Sequence, residues 1–360
     1  MNVAARRAKE SGLVERIADA VLYEGYILYP YRPSAVKNQQ RWNFGVLCPQ
    51  SYAVAQHGTE SSTMQTECLI EVDSSATIDV KLRFLHLMQR DVAVAADCEM
   101  PFAECGHFRN QDAKHFRFAP ALEVNGKVLQ TWQEAVEREI VISDLKVSAS
   151  HTRQSVRFLF AGARTTEPLI DEMSQQLAGL IVRTQQEIAG GVEISATPLT
   201  QQLLKLSITI RNLTAFNNAD QSSRDLALMH SLVSAHTIVQ TQQGRFVSLL
   251  DPPEIHKAAA SECVNTGTFP VLVGDEGNRN CVLSSPIILY DYPRIAPQSA
   301  GNLFDGTEID EILTLRIMSL TDEEKREMRD ADELARRLLE RTESLSPDQM
   351  MNLHGVMKKS

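Results

Sequence analysis

The sequence predicts an α+β fold: a largely antiparallel β-sheet or sandwich core with two inserted helices, an N-terminal helix and a helical C-terminal arm. Three observations lead there. Apolar residues alternate with polar ones at period two, the mark of strands with one wet face. Ile78, Val80, Leu82 and Phe84 alternate with Thr77, Asp79, Lys81 and Arg83, and Leu204, Leu206, Ile208 and Ile210 with Lys205, Ser207, Thr209 and Arg211. Asn125-Gly126, between Val124 and Lys127, is the type I′ hairpin signal, because both residues tolerate positive φ. Finally, Thr321 and Glu324 have capping-box spacing and open a seam of Met328, Ala331, Ala335 and Leu338.

Taken in order, residues 1–21 read as a helix, best started at Ser11, with Leu13, Val14, Ile17, Ala20 and Val21 on one face. Residues 22–49 follow, holding four of the seven tyrosines and one of the two tryptophans. Pro30, Pro33 and Pro49 forbid a continuous helix there, so residues 27–33 read as extended and 42–46 as a strand. Val136, Arg138, Ile140 and Ile142 share one strand face, with one charge among them; Val156, Phe158 and Phe160 share another. Pro168 reads as a helix start, running through Met173, Leu177, Leu180, Ile181 and Ile188 to a stop at Gly190-Gly191. A second inserted helix is expected over about 223–242. Strands are expected at 192–196, 246–250, 269–273 and 281–292, with the acidic turn 274–278 between the last two. After a linker at 296–307, helices fill an arm over 308–355. The expected domains are therefore the helix 1–21, a β-rich core 22–295 divided into two sub-domains by the helix 168–189, and the arm.

Composition narrows the function classes. The chain has 360 residues and a formal charge of −10, which argues against a nucleic-acid binder that must displace phosphate counterions. No apolar run approaches the roughly 18 residues of a membrane span. Nor is there a secretory leader, so the expected compartment is the cytoplasm. Six scattered cysteines make no disulfide scaffold and no CxxC pair.

Chemistry is sparse. Cys98, Cys105, His107 and His115 are zinc-type or other transition-metal ligands, but their spacing matches no structural zinc pattern. The bland alternative is a loop of half-buried cysteines and solvated histidines. Cys48 has no acidifying neighbour in sequence, and no G-x-S-x-G elbow or phosphate-binding glycine loop occurs. His230 and His236, six apart in the expected helix 223–242, lack the spacing of a metal-binding helix face and read as hydrogen-bonded structural histidines. Partner binding has better material. Tyr29, Tyr31, Arg32, Lys37, Arg41 and Trp42 mix the residue types enriched at interface hot spots. Tyr290, Tyr292 and Arg294 repeat a Leu-Tyr-x-Tyr run with Pro and Arg, and the two runs are expected side by side. Burial of those aromatics in the core is the competing reading.

The run LYPYRPSAVKNQQRWNFGVLCP over residues 28–49, preceded by LYEGY, resembles the N-terminal signature of an uncharacterised family associated with gene clusters of uptake-type nickel–iron hydrogenases of aerobic bacteria. Residues 310–317 and 320–325, DEILTLRI and LTDEEK, are similar to that family's C-terminal part. The resemblance brings no catalytic residues. The chain lacks the paired CxxC motifs of a large subunit, the cysteines of an iron–sulfur small subunit and the nucleotide motif of a maturation GTPase. The resemblance therefore implies an accessory protein, an assembly or maturation factor or a scaffold, whose partner is a hydrogenase subunit. A metal-binding protein or small metal-dependent enzyme using the 98–115 cluster, and a structural homo-oligomer, are the alternatives.

Overall fold

In the computed structural model, residues 3–23, 44–95, 116–147, 151–294, 320–331, 336, 339–340 and 342–344 are described. One strand organises them. β1, Thr63–Ala95, is 33 residues long, and both of its edges are used in turn by different antiparallel partners. Along one edge lie β10 (Leu203–Asn212), then β5 (Trp132–Lys146), then β2 (Phe116–Ala119). Along the other lie β11 (Val233–Val247) and then β8 (Leu177–Gln185). Beyond β10 come β9 (Ile188–Pro198) and β6 (Thr152–Phe160); beyond β11 come β13 (Cys281–Ser285) and β12 (Phe269–Leu272); β7 (Ala163–Ile170) flanks β8. The result is one antiparallel sheet of 11 strands.

This sheet is curled. Val72 of β1 pairs with Gly244 while Thr77 pairs with Gln242, so β1 carries a bulge where it turns from β10 toward β5. Gly244 allows the close approach: a Cβ there would lie 2.6 Å from Thr241 Oγ1. Farther out, the Gln65 and Thr266 backbones exchange hydrogen bonds of 3.1 and 2.9 Å, tying the chain just before β12 back to β1. Phe84, on the far side of the bulge, meets the rings of Phe158 and Phe160 of β6 at 5.9 Å each. The two parts of the sheet thus share one core, in which Ile70, Ile78, Leu82, Phe84, Ile194, Leu206 and Phe246 are buried.

Helices seal the outer faces. α1, Val3–Tyr23, lays Val14, Ile17, Ala18 and Val21 on Ile238, Val271, Val273, Cys281 and Leu283. It passes straight through Ser11, so the expected cap is not a cap. Lys81 pairs with Glu15 at 2.8 Å and Arg83 with Asp19 at 2.7 Å, fixing the helix on β1. The short helices α2 (Gln50–Ala55) and α3 (Arg224–Leu228) cover Leu85 and Leu87, and α4 (Lys257–Ser261) lies over Leu69 and Val247. Strands enclosed on both faces therefore read as continuous apolar runs.

That enclosure explains two corrections. The expected helix at 168–189 is instead β7, a turn, and β8, and it divides nothing: β8 pairs with β1. Asp171 Oδ1 accepts hydrogen bonds from the Met173 and Ser174 amides, making the turn that the helical spacing concealed. The Gly190-Gly191 pair lies inside β9, where the Phe158 ring occupies the space a Cβ of Gly190 would need. The expected helix at 223–242 is helical only over Arg224–Leu228, started by Ser223 Oγ accepting from the Leu226 amide. The β-branched run that follows is β11.

Other expectations hold. β3 (Ala121–Val124) and β4 (Lys127–Gln130) form the Asn125-Gly126 hairpin, with φ of 54° and 74° at the turn. Thr321 and Glu324 make both capping-box bonds at the start of α5, Asp322–Ala331, which packs against β4. Among the described residues, no helix is long and apolar enough to cross a membrane.

Candidate functional site

Several of the residues singled out in the sequence lie outside the described part. These are Tyr29, Tyr31, Arg32, Lys37, Arg41 and Trp42, and all four of Cys98, Cys105, His107 and His115. Among the described residues, no group of three or more His, Cys, Asp and Glu is placed to hold a metal ion. The 290–294 run is described, and its members diverge. Tyr290 is 84% exposed. Tyr292 turns inward at φ 56° and packs against the main core. Arg294 is exposed and pairs with Glu276 at 3.1 Å. The run is not a strand; it closes the free edge of β12. Leu272 donates its amide to Asp291 Oδ1 at 2.8 Å, and its carbonyl accepts from the Tyr292 amide at 2.7 Å. Pro270, the neighbouring outward position, has no amide to expose. Asp291 also accepts from Ser248 Oγ. Tyr290 therefore projects from a braced backbone.

A second constellation lies at one end of the core. His86 of β1 and Arg138 of β5 point into the same space as Phe84, because Phe84 and Arg138 are register partners and His86 is two residues on. His86 Nε2 lies 2.9 Å from the Gln186 carbonyl, which makes that nitrogen the donor and leaves Nδ1 with a lone pair. His230, in the turn after α3, is likewise held by the backbone of Glu187 and meets the Phe216 ring at 5.1 Å, tilted by 59°. Both imidazoles thus hang from the β8–β9 turn. The guanidinium of Arg138 stands 4.5 Å over the Phe160 ring and donates to Gln185 Oε1 at 2.9 Å. Arginine has no acceptor, so this contact fixes the Gln185 amide with its NH2 on the other side.

The arrangement leaves polar atoms over. His86 Nδ1, His230 Nδ1, Arg138 Nε and Gln185 Nε2 are buried atoms with no hydrogen-bond partner among the described residues. Arg138 has no carboxylate partner there either, whereas Arg83, Arg90, Arg183 and Arg279 all do. Burial and the nearby guanidinium push the His86 imidazole down to about 4, so it is neutral at pH 7. Burial lowers His230 and Arg138 as well. Arg138 was visible in the sequence as the one charge on an apolar strand face. His86 could have been found as the polar residue continuing the inward alternation past Phe84.

The described cysteines are poor nucleophiles. Burial raises Cys48 to about 11, Cys263 to about 11 and Cys281 to about 12, and it raises Cys68 too. Cys48 also faces Glu60, whose carboxylate is itself paired with Arg224 at 2.6 Å. In the folded protein at pH 7.5, these four thiols are expected to take up iodoacetamide at least roughly tenfold more slowly than a free thiol. Mass spectrometry of labelled peptides checks this, and alkylation of Cys48 at the free-thiol rate would refute it.

No family model and no curated protein matches the chain. Among solved structures, it is similar to the secretin InvG of the Salmonella SPI-1 type III secretion injectisome at 9% identity over 65% of this chain and 60% of that one. The chain therefore spans less than two thirds of that structure, and the TM-score of 0.09 is too low to support any shared fold or activity.

Proposed function

We propose that the chain is an accessory binding protein that acts in the cytoplasm during assembly of a metalloenzyme, a hydrogenase subunit being the partner its sequence resemblance implies. The observation that carries the reading is the presentation of Tyr290. A tyrosine 84% exposed, beside Ile288 at 75%, is a costly surface to leave in water. Here the backbone beneath it is held by Asp291 and Tyr292 on β12, so little ordering entropy is lost when a partner covers it. On this reading the curled sheet is a sandwich-like scaffold. Residues 22–45 and the C-terminal helices are proposed as docking surfaces as well.

The test is co-purification from the native host at endogenous expression, comparing wild type with an Ile288→Ser/Tyr290→Ala variant. Neither side chain is in the core, so the unfolding free energy is expected to stay within about 0.5 kcal/mol of wild type. The partner's yield is expected to fall at least fivefold. Equal recovery by the variant, or no partner with wild type, would overturn the reading.

A further inference from the structure

We infer that the corner formed by His86, Arg138, Gln185 and His230 is a binding site for a carboxylate, and that it takes up a proton when the carboxylate binds. The inference is independent of the protein-partner reading, since Tyr290 belongs to the β12 edge and this site to the β8–β9 turn.

The unpartnered atoms specify the ligand. Arg138 Nε and Gln185 Nε2 are donors only, and no acceptor meets them among the described residues. Leaving such groups buried and empty costs about as much as a lost hydrogen bond each, and more when one is charged. An oxyanion satisfies both. Its charge is set by the site's single cation. With both imidazoles neutral, the single negative charge of a carboxylate balances Arg138 in the low-dielectric corner beside Phe160. Carboxylate also suits the planar guanidinium edge. Arg138 as a residue is only partly buried.

The proton follows from the imidazoles. His86 Nε2 is committed to the Gln186 carbonyl, so a proton gained by His86 must go to Nδ1. The ionisable groups that perturb His86 are Arg138, from β5, and His230, from the turn after α3; both oppose its protonation, and no carboxylate does the reverse. An anion placed among them cancels that repulsion and gives Nδ1–H an acceptor. Linkage then requires the converse: lowering the pH tightens binding of the anion.

The experiment titrates the intact protein with sodium acetate against a sodium chloride background of constant ionic strength, following the histidine ring resonances by NMR at pH 5.5 and 7.5. The His86 and His230 signals are expected to shift saturably, with an apparent Kd at least tenfold lower at pH 5.5. His236, in a different part of the core, is expected to stay put. Arg138→Gln should weaken binding at least tenfold. Gln185→Glu builds a carboxylate beside Arg138; it should abolish the acetate response while raising the unfolding temperature, and it serves if Arg138→Gln does not fold. Absence of a saturable shift in wild type, an undiminished shift in Arg138→Gln or Gln185→Glu, or saturation by inorganic phosphate but not acetate would each overturn the assignment.

Discussion

Acidification from pH 7 to 5 is expected to cost this protein several kcal/mol of folding stability, mostly above the range in which ordinary carboxylates titrate. The cause is two histidines folded in neutral form. His236 is fully buried; its Nδ1 lies 3.0 Å from the Ser234 carbonyl, and its Nε2 has no partner among the described residues. Burial, and to a smaller extent Arg83, lowers it to about 4; His86, three residues along β1 from the Arg83 that pairs with His236, is also lowered to about 4. In the unfolded chain both return to roughly 6.5. Between those values the unfolded state binds more protons than the folded one. Stability is therefore complete above pH 6.5 and is lost as the pH falls toward 4. Each residue contributes roughly 2 kcal/mol over that interval, on the linkage that makes one pKa unit about 1.4 kcal/mol. Urea unfolding at half-unit pH steps measures it. A His236→Gln variant should flatten the profile by about half, and a wild-type stability constant from pH 7 to 5 would show that the imidazoles are not buried as described.

Replacing Phe84 with alanine is the second large effect expected, about 4 kcal/mol of lost stability. Phe84 is completely buried and touches both Phe158 and Phe160 across the core. Its removal leaves a cavity between β1 and β6, whose backbones are held by their ladders to β5 and β9, so collapse around it is limited. The neighbouring Leu159→Ala is the control, because that side chain is 61% exposed and should change stability by less than about 0.5 kcal/mol. A Phe84→Ala cost as small as that of Leu159→Ala in urea unfolding would remove the ring from its central place.

How far the sequence could be read depended on whether each strand had one wet face. Around Leu204–Ile210 it did, and over Ile78–Phe84 the second face is polar although α1 covers part of it, so the alternation placed both strands and their inward residues correctly. The Asn125-Gly126 hairpin and the Thr321 capping box were equally legible, because a positive φ and a side-chain cap are properties of a few adjacent residues. Leu177–Gln185 and the part of Val233–Val247 up to residue 242 were misread as helices, since a strand covered on both sides loses its period. An apolar run then fits either structure.

The candidate site divides the same way. His86 and Arg138 could be assigned to inward strand faces from spacing alone. That they meet Gln185 and His230 depends on β8 pairing with the far end of β1 and on the β8–β9 turn offering two carbonyls to two rings. Likewise, residues 290–294 announced their tyrosines, but only the closing of the β12 edge turned Tyr292 inward and Tyr290 out.

By itself, then, the sequence determined an antiparallel β-rich chain with helical ends and the charge pattern of its wet faces. Each follows from contacts between residues a few positions apart. Tertiary structure decided which apolar runs are strands, how one 33-residue strand serves both edges of a curled sheet, and which buried polar atoms are left without partners. Those outcomes depend on pairings between residues tens of positions apart or more, whose hydrogen bonds and burial no local pattern encodes.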